Sequence, residues 1–148
     1  MESGVSAQAN EKLIGTWKLV SVMSSTSKGE RHNAPYGEHP VGFLTYSGDG
    51  RVSAMISYDG RKPLPVAAGA EEQAQAFKTF LAYAGCYALS GDKITHSVEI
   101  SSIQAWVGKD LVRFVRFEAD RMTLITPPTP SNGKLLTYEL VWQRLGAG

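Results

Sequence analysis

Lys93-Ile94-Thr95-His96-Ser97-Val98-Glu99-Ile100-Ser101 alternates without a break. Ile94, His96, Val98 and Ile100 take one parity; Thr95, Ser97, Glu99 and Ser101 take the other. A period of two is that of a strand with one face on a core, because successive side chains point to opposite faces. The same period continues on both sides. Upstream, Asp49-Gly50 is a tight-turn pair, since the favoured hairpin turn needs positive φ at both central positions. Arg51–Tyr58 follows, with Val52, Ala54, Ile56 and Tyr58 on one face. Downstream, Leu111–Glu118 turns at Ala119-Asp120 into Arg121–Thr126. Pro127–Gly133, ending in Asn132-Gly133, closes a further hairpin onto Lys134–Leu145, where Leu136, Tyr138, Leu140 and Trp142 align.

The remaining segments complete a series of strands. Leu13–Met23 is a first strand, with Trp17, Leu19 and Met23 of one parity. Residues 24–40 read as a long polar loop, and Val41–Ser47 as the second strand. Gly60, Pro63 and Pro65 break regular structure. Then Ala70, Ala74, Phe77 and Leu81 recur at helical spacing, behind Glu71 and Glu72 where carboxylates suit the helix dipole. The spacing predicts one helix over residues 70–82, packed by that face against the barrel or its open end. Tyr83–Ser90 and a Gly91-Asp92 turn lead back to residue 93. The outcome is an all-β fold: an antiparallel, eight-stranded, up-and-down barrel with one inserted helix. Closure leaves no exposed sheet edge. Residues 1–11 are expected as a flexible tail and 12–146 as a single domain.

Composition agrees and removes several function classes. The chain has 148 residues, 43% of them hydrophobic and 20% charged, enough for one ordinary core. Fifteen glycines and fourteen aromatic residues suit a turn-rich β body. A formal net charge of +1 provides no field for nucleic acid or an acidic membrane surface. No apolar run spans a bilayer, and the N-terminus lacks the basic start and apolar stretch of a secretory signal. The single Cys86 excludes an intrachain disulfide and is expected as a small buried residue. A cytoplasmic location follows as an expectation.

A family resemblance rests on several motifs together. Gly15-Thr16-Trp17 lies in the first strand and Trp142-Gln143-Arg144 in the last. Between them stand Gly42-Phe43-Leu44-Thr45-Tyr46, Ala82-Tyr83-Ala84-Gly85-Cys86-Tyr87, Trp106-Val107-Gly108 and Val112-Arg113-Phe114. This series resembles the lipocalin-like domain family of small microbial and fungal proteins. The resemblance covers Leu13 to Leu145 and implies the calycin-type barrel. It also implies that Trp17 packs beside Arg144 to seal one end. Related barrels bind apolar small molecules, and some of similar shape act as isomerases or cyclases.

Candidate site residues come from the inward parity. His96 lies in an apolar row, where it is either a satisfied core histidine or a group that hydrogen-bonds a ligand or exchanges a proton. In residues 111–118, either Arg113 or Arg116 faces inward; the resemblance favours Arg113. An inward arginine binds a carboxylate, enolate or phenolate oxygen, or else forms an ion pair with Glu99 or Glu139. Tyr46 and Tyr87 offer hydroxyls that polarise a carbonyl. Trp106, Tyr83, Ile56, Tyr58, Val98, Leu124 and Tyr138 are expected to contact a ligand. His32 and His39 belong to the polar loop, and no histidine pair has metal-ligand spacing. No dinucleotide or phosphate-loop fingerprint is present, so no cofactor or metal is expected.

Two functions fit such an interior. The favoured one is binding of a small, mostly apolar molecule, of aromatic, polyketide or terpenoid type. The alternative is a cofactor-free isomerase, cyclase or lyase. There His96 exchanges a proton, and Arg113 with Tyr46 or Tyr87 stabilises an oxyanion. A third, structural role would use apolar residues of 111–117 as a homodimer face.

Overall fold

The computed structural model describes residues 11–33, 35–131 and 133–146. The expected tail therefore lies outside the described residues except for Glu11, which opens a helical turn at 11–13. Asn132 of the Asn132-Gly133 turn also lies outside them.

The strands are β1 (Gly15–Thr26), β2 (Arg31–Asn33), β3 (Val41–Tyr46), β4 (Arg51–Ser57), β5 (Phe80–Ser90), β6 (Lys93–Ser101), β7 (Asp110–Glu118), β8 (Arg121–Ile125), β9 (Thr129–Ser131) and β10 (Lys134–Arg144). Helix α1 (Ala70–Lys78) follows β4, and a 3-10 turn at Gln104–Trp106 follows β6. The long strands pair in the order β1-β3-β4-β5-β6-β7-β8-β10, all antiparallel. β10 returns to β1 from Trp17↔Arg144 to Thr26↔Leu136 and closes an eight-stranded barrel. β2 and β9 are short additions to β1 and β10 at one end.

That end is the mouth; the other is sealed. Trp17 is buried, and its indole N–H donates to the Leu13 carbonyl at 2.9 Å. The Arg144 guanidinium lies 4.3 Å over the Trp17 ring and donates to the carbonyls of Ile14 and Lys12. The sequence expectation for this pair is met. Gly15 has φ +133°, and a Cβ there would stand 2.9 Å from Arg144 Nη1. A glycine before the sealing tryptophan thus makes room for the arginine that covers it.

Two bulges change which side chains face in. In β1 the register shifts between Leu19 and Ser21, so Val22 and Ser24 are buried rather than Met23. Between β5 and β6 the register shifts at Ala84/Gly85, which pairs Gly85 with Val98 and Ala84 with Ile100. One extra residue inverts the parity beyond it. Ile100, expected beside His96, is therefore 67% exposed. Gly85 marks the close approach: a Cβ there would lie 1.9 Å from the Ser97 carbonyl oxygen.

Three further expectations are corrected. The loop over 24–40 contains β2, and β1 runs on to Thr26 before a turn in which Thr26 N–H donates to Glu30 O at 2.9 Å. The helix stops at Lys78, not 82. The Thr79 hydroxyl donates to the Gln75 and Ala76 carbonyls, and Phe80 joins β5 opposite Ser57. None of α1 is buried: Phe77 is exposed, and Leu81 reaches the core from β5 instead. Cys86 is exposed, because strand parity places it on the outer face between two inward positions. Its thiol donates to Glu99 at 3.0 Å, and that carboxylate, also held by Arg51, pushes the thiol pKa up.

Candidate functional site

The barrel interior holds a cavity of about 300 Å³. Leu44, Ala54, Ile56, Leu81, Leu124 and Leu140 provide its apolar wall. Each comes from a strand whose inward parity is apolar, so the cavity is the space that short and branched side chains leave unfilled. At the mouth stand Tyr36, Trp106, Pro127, Thr129 and Tyr138. Trp106 is held by the 3-10 turn and meets the Tyr83 ring edge-on at 5.9 Å. Tyr36 and Tyr58 form a second edge-on pair at 4.7 Å. Burial pushes the Tyr36 hydroxyl pKa up to about 12, so it stays protonated.

The polar part of the interior is a chain of three side chains. His96 Nε2 lies 2.7 Å from the Tyr46 hydroxyl, and His96 Nδ1 lies 2.7 Å from the Tyr83 hydroxyl. His96 is 1% exposed. Burial, reinforced by the positive charge of Arg113, lowers its pKa from 6.5 to about 3. The imidazole is therefore neutral at physiological pH. Burial also raises the pKa of both tyrosines, so both carry their protons. Tyr83 and His96 line the cavity, whereas Tyr46 sits behind His96 toward the sealed end. Both imidazole nitrogens are occupied by hydroxyls. A proton exchanged between His96 and a substrate would have to pass through Tyr83.

Arg113 lines the same cavity from β7, and Arg116 points outward and is exposed. The ion pairs anticipated for an inward arginine are taken elsewhere. Glu99 bonds Arg51 on the outer face at 2.9 Å, and Glu139 bonds Arg31 at 3.3 Å. Among the described residues Arg113 has no carboxylate partner. Its guanidinium donates from Nη1 at 2.9 Å to its own neighbour's carbonyl, Val112 O.

Seven of the expected site residues therefore share the cavity: His96, Arg113, Trp106, Tyr83, Ile56, Leu124 and Tyr138. Four do not line it. Tyr46 is one layer behind. Tyr87 bonds the Ser47 carbonyl at 3.0 Å and packs edge-on against Tyr46. Val98 is core. Tyr58 lies past the end of β4, in an adjoining recess at the mouth with Tyr36, Phe77 and Trp106. Sequence reading missed Tyr36, hidden in a polar loop, and Leu81, assigned to the helix. It also missed the Trp142 indole as a polar group. Trp142 lines the cavity, and among the described residues its buried Nε1–H is without an acceptor.

The lipocalin-like domain model matches residues 14–145. The chain belongs to the lipocalin-like domain family. No curated protein matches it. Among solved structures, the barrel is similar to secretory abundant heat soluble protein 4 from Ramazzottius varieornatus. The likeness has 12% identity and a TM-score of 0.43, and covers 92% of this chain and 96% of that one. A lipocalin-like barrel is suited to ligand binding in general. No helix among the described residues is long and apolar enough to cross a membrane.

Proposed function

We propose that this lipocalin-like barrel binds a small, mostly apolar molecule in its central cavity. The observation that carries the reading is the cavity itself: about 300 Å³, walled by leucine, isoleucine and alanine, with a few polar groups at one side. That volume is at the low end for ligand pockets, which run from about 300 to 1,000 Å³. It suits a compact aromatic, polyketide- or terpenoid-like ring system better than a long lipid chain. Trp106 and Tyr36 at the mouth offer flat faces to such a ring. The cytoplasm suits a chain whose one cysteine can close no disulfide of its own.

The test is a thermal-shift screen of compact apolar compounds against the wild type and Ala54→Phe, which fills the cavity from β4. The expected result is a rise in melting temperature that the filled variant loses. A wild type that no compound stabilises, or shifts that persist in Ala54→Phe, would overturn the reading.

A further inference from the structure

We infer that the cavity selects an organic acid, held as its anion by Arg113 and by the hydroxyl of Tyr83. This rests on the cavity-binding reading and adds the chemical class of the ligand. Three observations on separate strands converge on it. The first is the guanidinium of Arg113 on β7, which faces the cavity with no carboxylate beside it among the described residues. A half-buried arginine with an unmatched charge is poised for a planar, doubly accepting anion.

The second comes from counting protons along Tyr46–His96–Tyr83. A neutral imidazole has one N–H and one lone pair, so it accepts from one tyrosine and donates to the other. Tyr46 is fully enclosed, and among the described residues His96 is its hydroxyl's sole partner. If Nε2 carried the proton, the Tyr46 hydrogen would be buried without an acceptor, at the cost of an unmade hydrogen bond. The arrangement that leaves no hydrogen stranded behind the cavity has Tyr46 donating to Nε2 and Nδ1–H donating to the Tyr83 oxygen. The Tyr83 hydrogen is then left over, on a residue that lines the cavity. His96 is in this way a positioning residue that turns Tyr83 into a donor toward the ligand.

The third is Trp142 on β10, whose buried Nε1–H has no acceptor among the described residues and whose side chain lines the same cavity. Arginine and tyrosine present donors here, and the tryptophan adds an unsatisfied one buried within the wall. No aspartate or glutamate among the described residues lines the cavity. A surplus of donors beside a positive charge calls for acceptor oxygens and a negative charge on the ligand.

The experiment uses two fluorescent probes with one ring frame: anilinonaphthalene sulfonate and its uncharged parent, phenylnaphthylamine. Both are titrated against the wild type, Arg113→Met and Tyr83→Phe, with melting curves to show that each variant is folded. The sulfonate should bind the wild type about tenfold or more tightly than the parent, as one charge-assisted hydrogen bond requires. Arg113→Met should bring the ratio close to one. Tyr83→Phe should weaken the sulfonate severalfold and leave the parent unchanged. Equal binding of the two probes by the wild type overturns the acid inference and leaves cavity binding standing. A preference that survives in folded Arg113→Met overturns it too. Failure of both probes to bind the wild type removes the cavity reading itself, and the inference with it.

Discussion

Lowering the pH should destabilise this barrel through one buried imidazole, before its carboxylates protonate. In the native state His96 is enclosed between Tyr46 and Tyr83, and takes a proton only near pH 3. In the unfolded chain an ordinary histidine takes one near pH 6.5. Below 6.5 the unfolded state therefore holds the extra proton, and stability falls as pH falls. The full contribution is present above pH 6.5, and the loss continues down to about pH 3. Each pH unit within that window is worth about 1.4 kcal/mol, so the step from pH 7 to pH 5 costs about 2 kcal/mol. That is a substantial share of an ordinary domain's net stability of roughly 5–15 kcal/mol. Urea unfolding followed by tryptophan fluorescence at pH 7, 6 and 5 measures it. The partner variant is His96→Gln, which can accept from one tyrosine and donate to the other but does not titrate. His32 and His39 are exposed and present in both proteins, so the difference between the two slopes belongs to His96. If both proteins lose stability equally between pH 7 and 5, the buried neutral imidazole is refuted.

Nitrogen NMR of His96 should show the tautomer with its proton on Nδ1, unchanged from pH 8 to pH 5; a proton on Nε2 would remove the free Tyr83 donor. Arg144→Met should cost about 2–3 kcal/mol, because it strips a cation–π contact and hydrogen bonds to two carbonyls from the sealed end. Calorimetric melting reads that loss, and an unchanged melting temperature would deny the seal its role. Gly85→Ala should cost at least about 3 kcal/mol or prevent folding, since its Cβ would collide with the Ser97 carbonyl; wild-type stability would mean the bulge relaxes freely. Cys86 should react with iodoacetamide in the folded protein, slowly at pH 7 because Glu99 holds the thiol protonated. Protection until denaturant is added would contradict its outward placement.

The alternation over 51–58 and 93–98 and the turn glycines Gly50 and Gly91, both at positive φ, were enough to read a closed meander. The physical reason is that side-chain alternation and turn chemistry are local properties. The sealed end was legible through the family resemblance, which Gly15-Thr16-Trp17 and Trp142-Gln143-Arg144 help to carry. The bulges were not legible. Val20 and the Ala84/Gly85 shift interrupt the period by one residue, and only pairing with a neighbouring strand shows which residue is extra. So Met23 and Ile100 were read inward, and Val22 and Ser24 were missed. The helix failed for another reason: Leu81 fits a helical spacing, but pairing of its backbone with Ile56 places it in a strand.

The site divides along the same line. Strand alternation put His96 inward and left Arg113 and Arg116 as alternatives, between which the family resemblance favoured Arg113; the barrel turns Arg113 to the cavity. Which polar groups are already satisfied depends on partners 13 and 50 residues away: Tyr83 and Tyr46 around His96. It also depends on Glu99 and Glu139 being taken by Arg51 and Arg31. Hydrogen-bond saturation and charge pairing are properties of contacts, not of segments. Only the closed barrel brings Arg113, Tyr83 and Trp142 to the wall of one cavity.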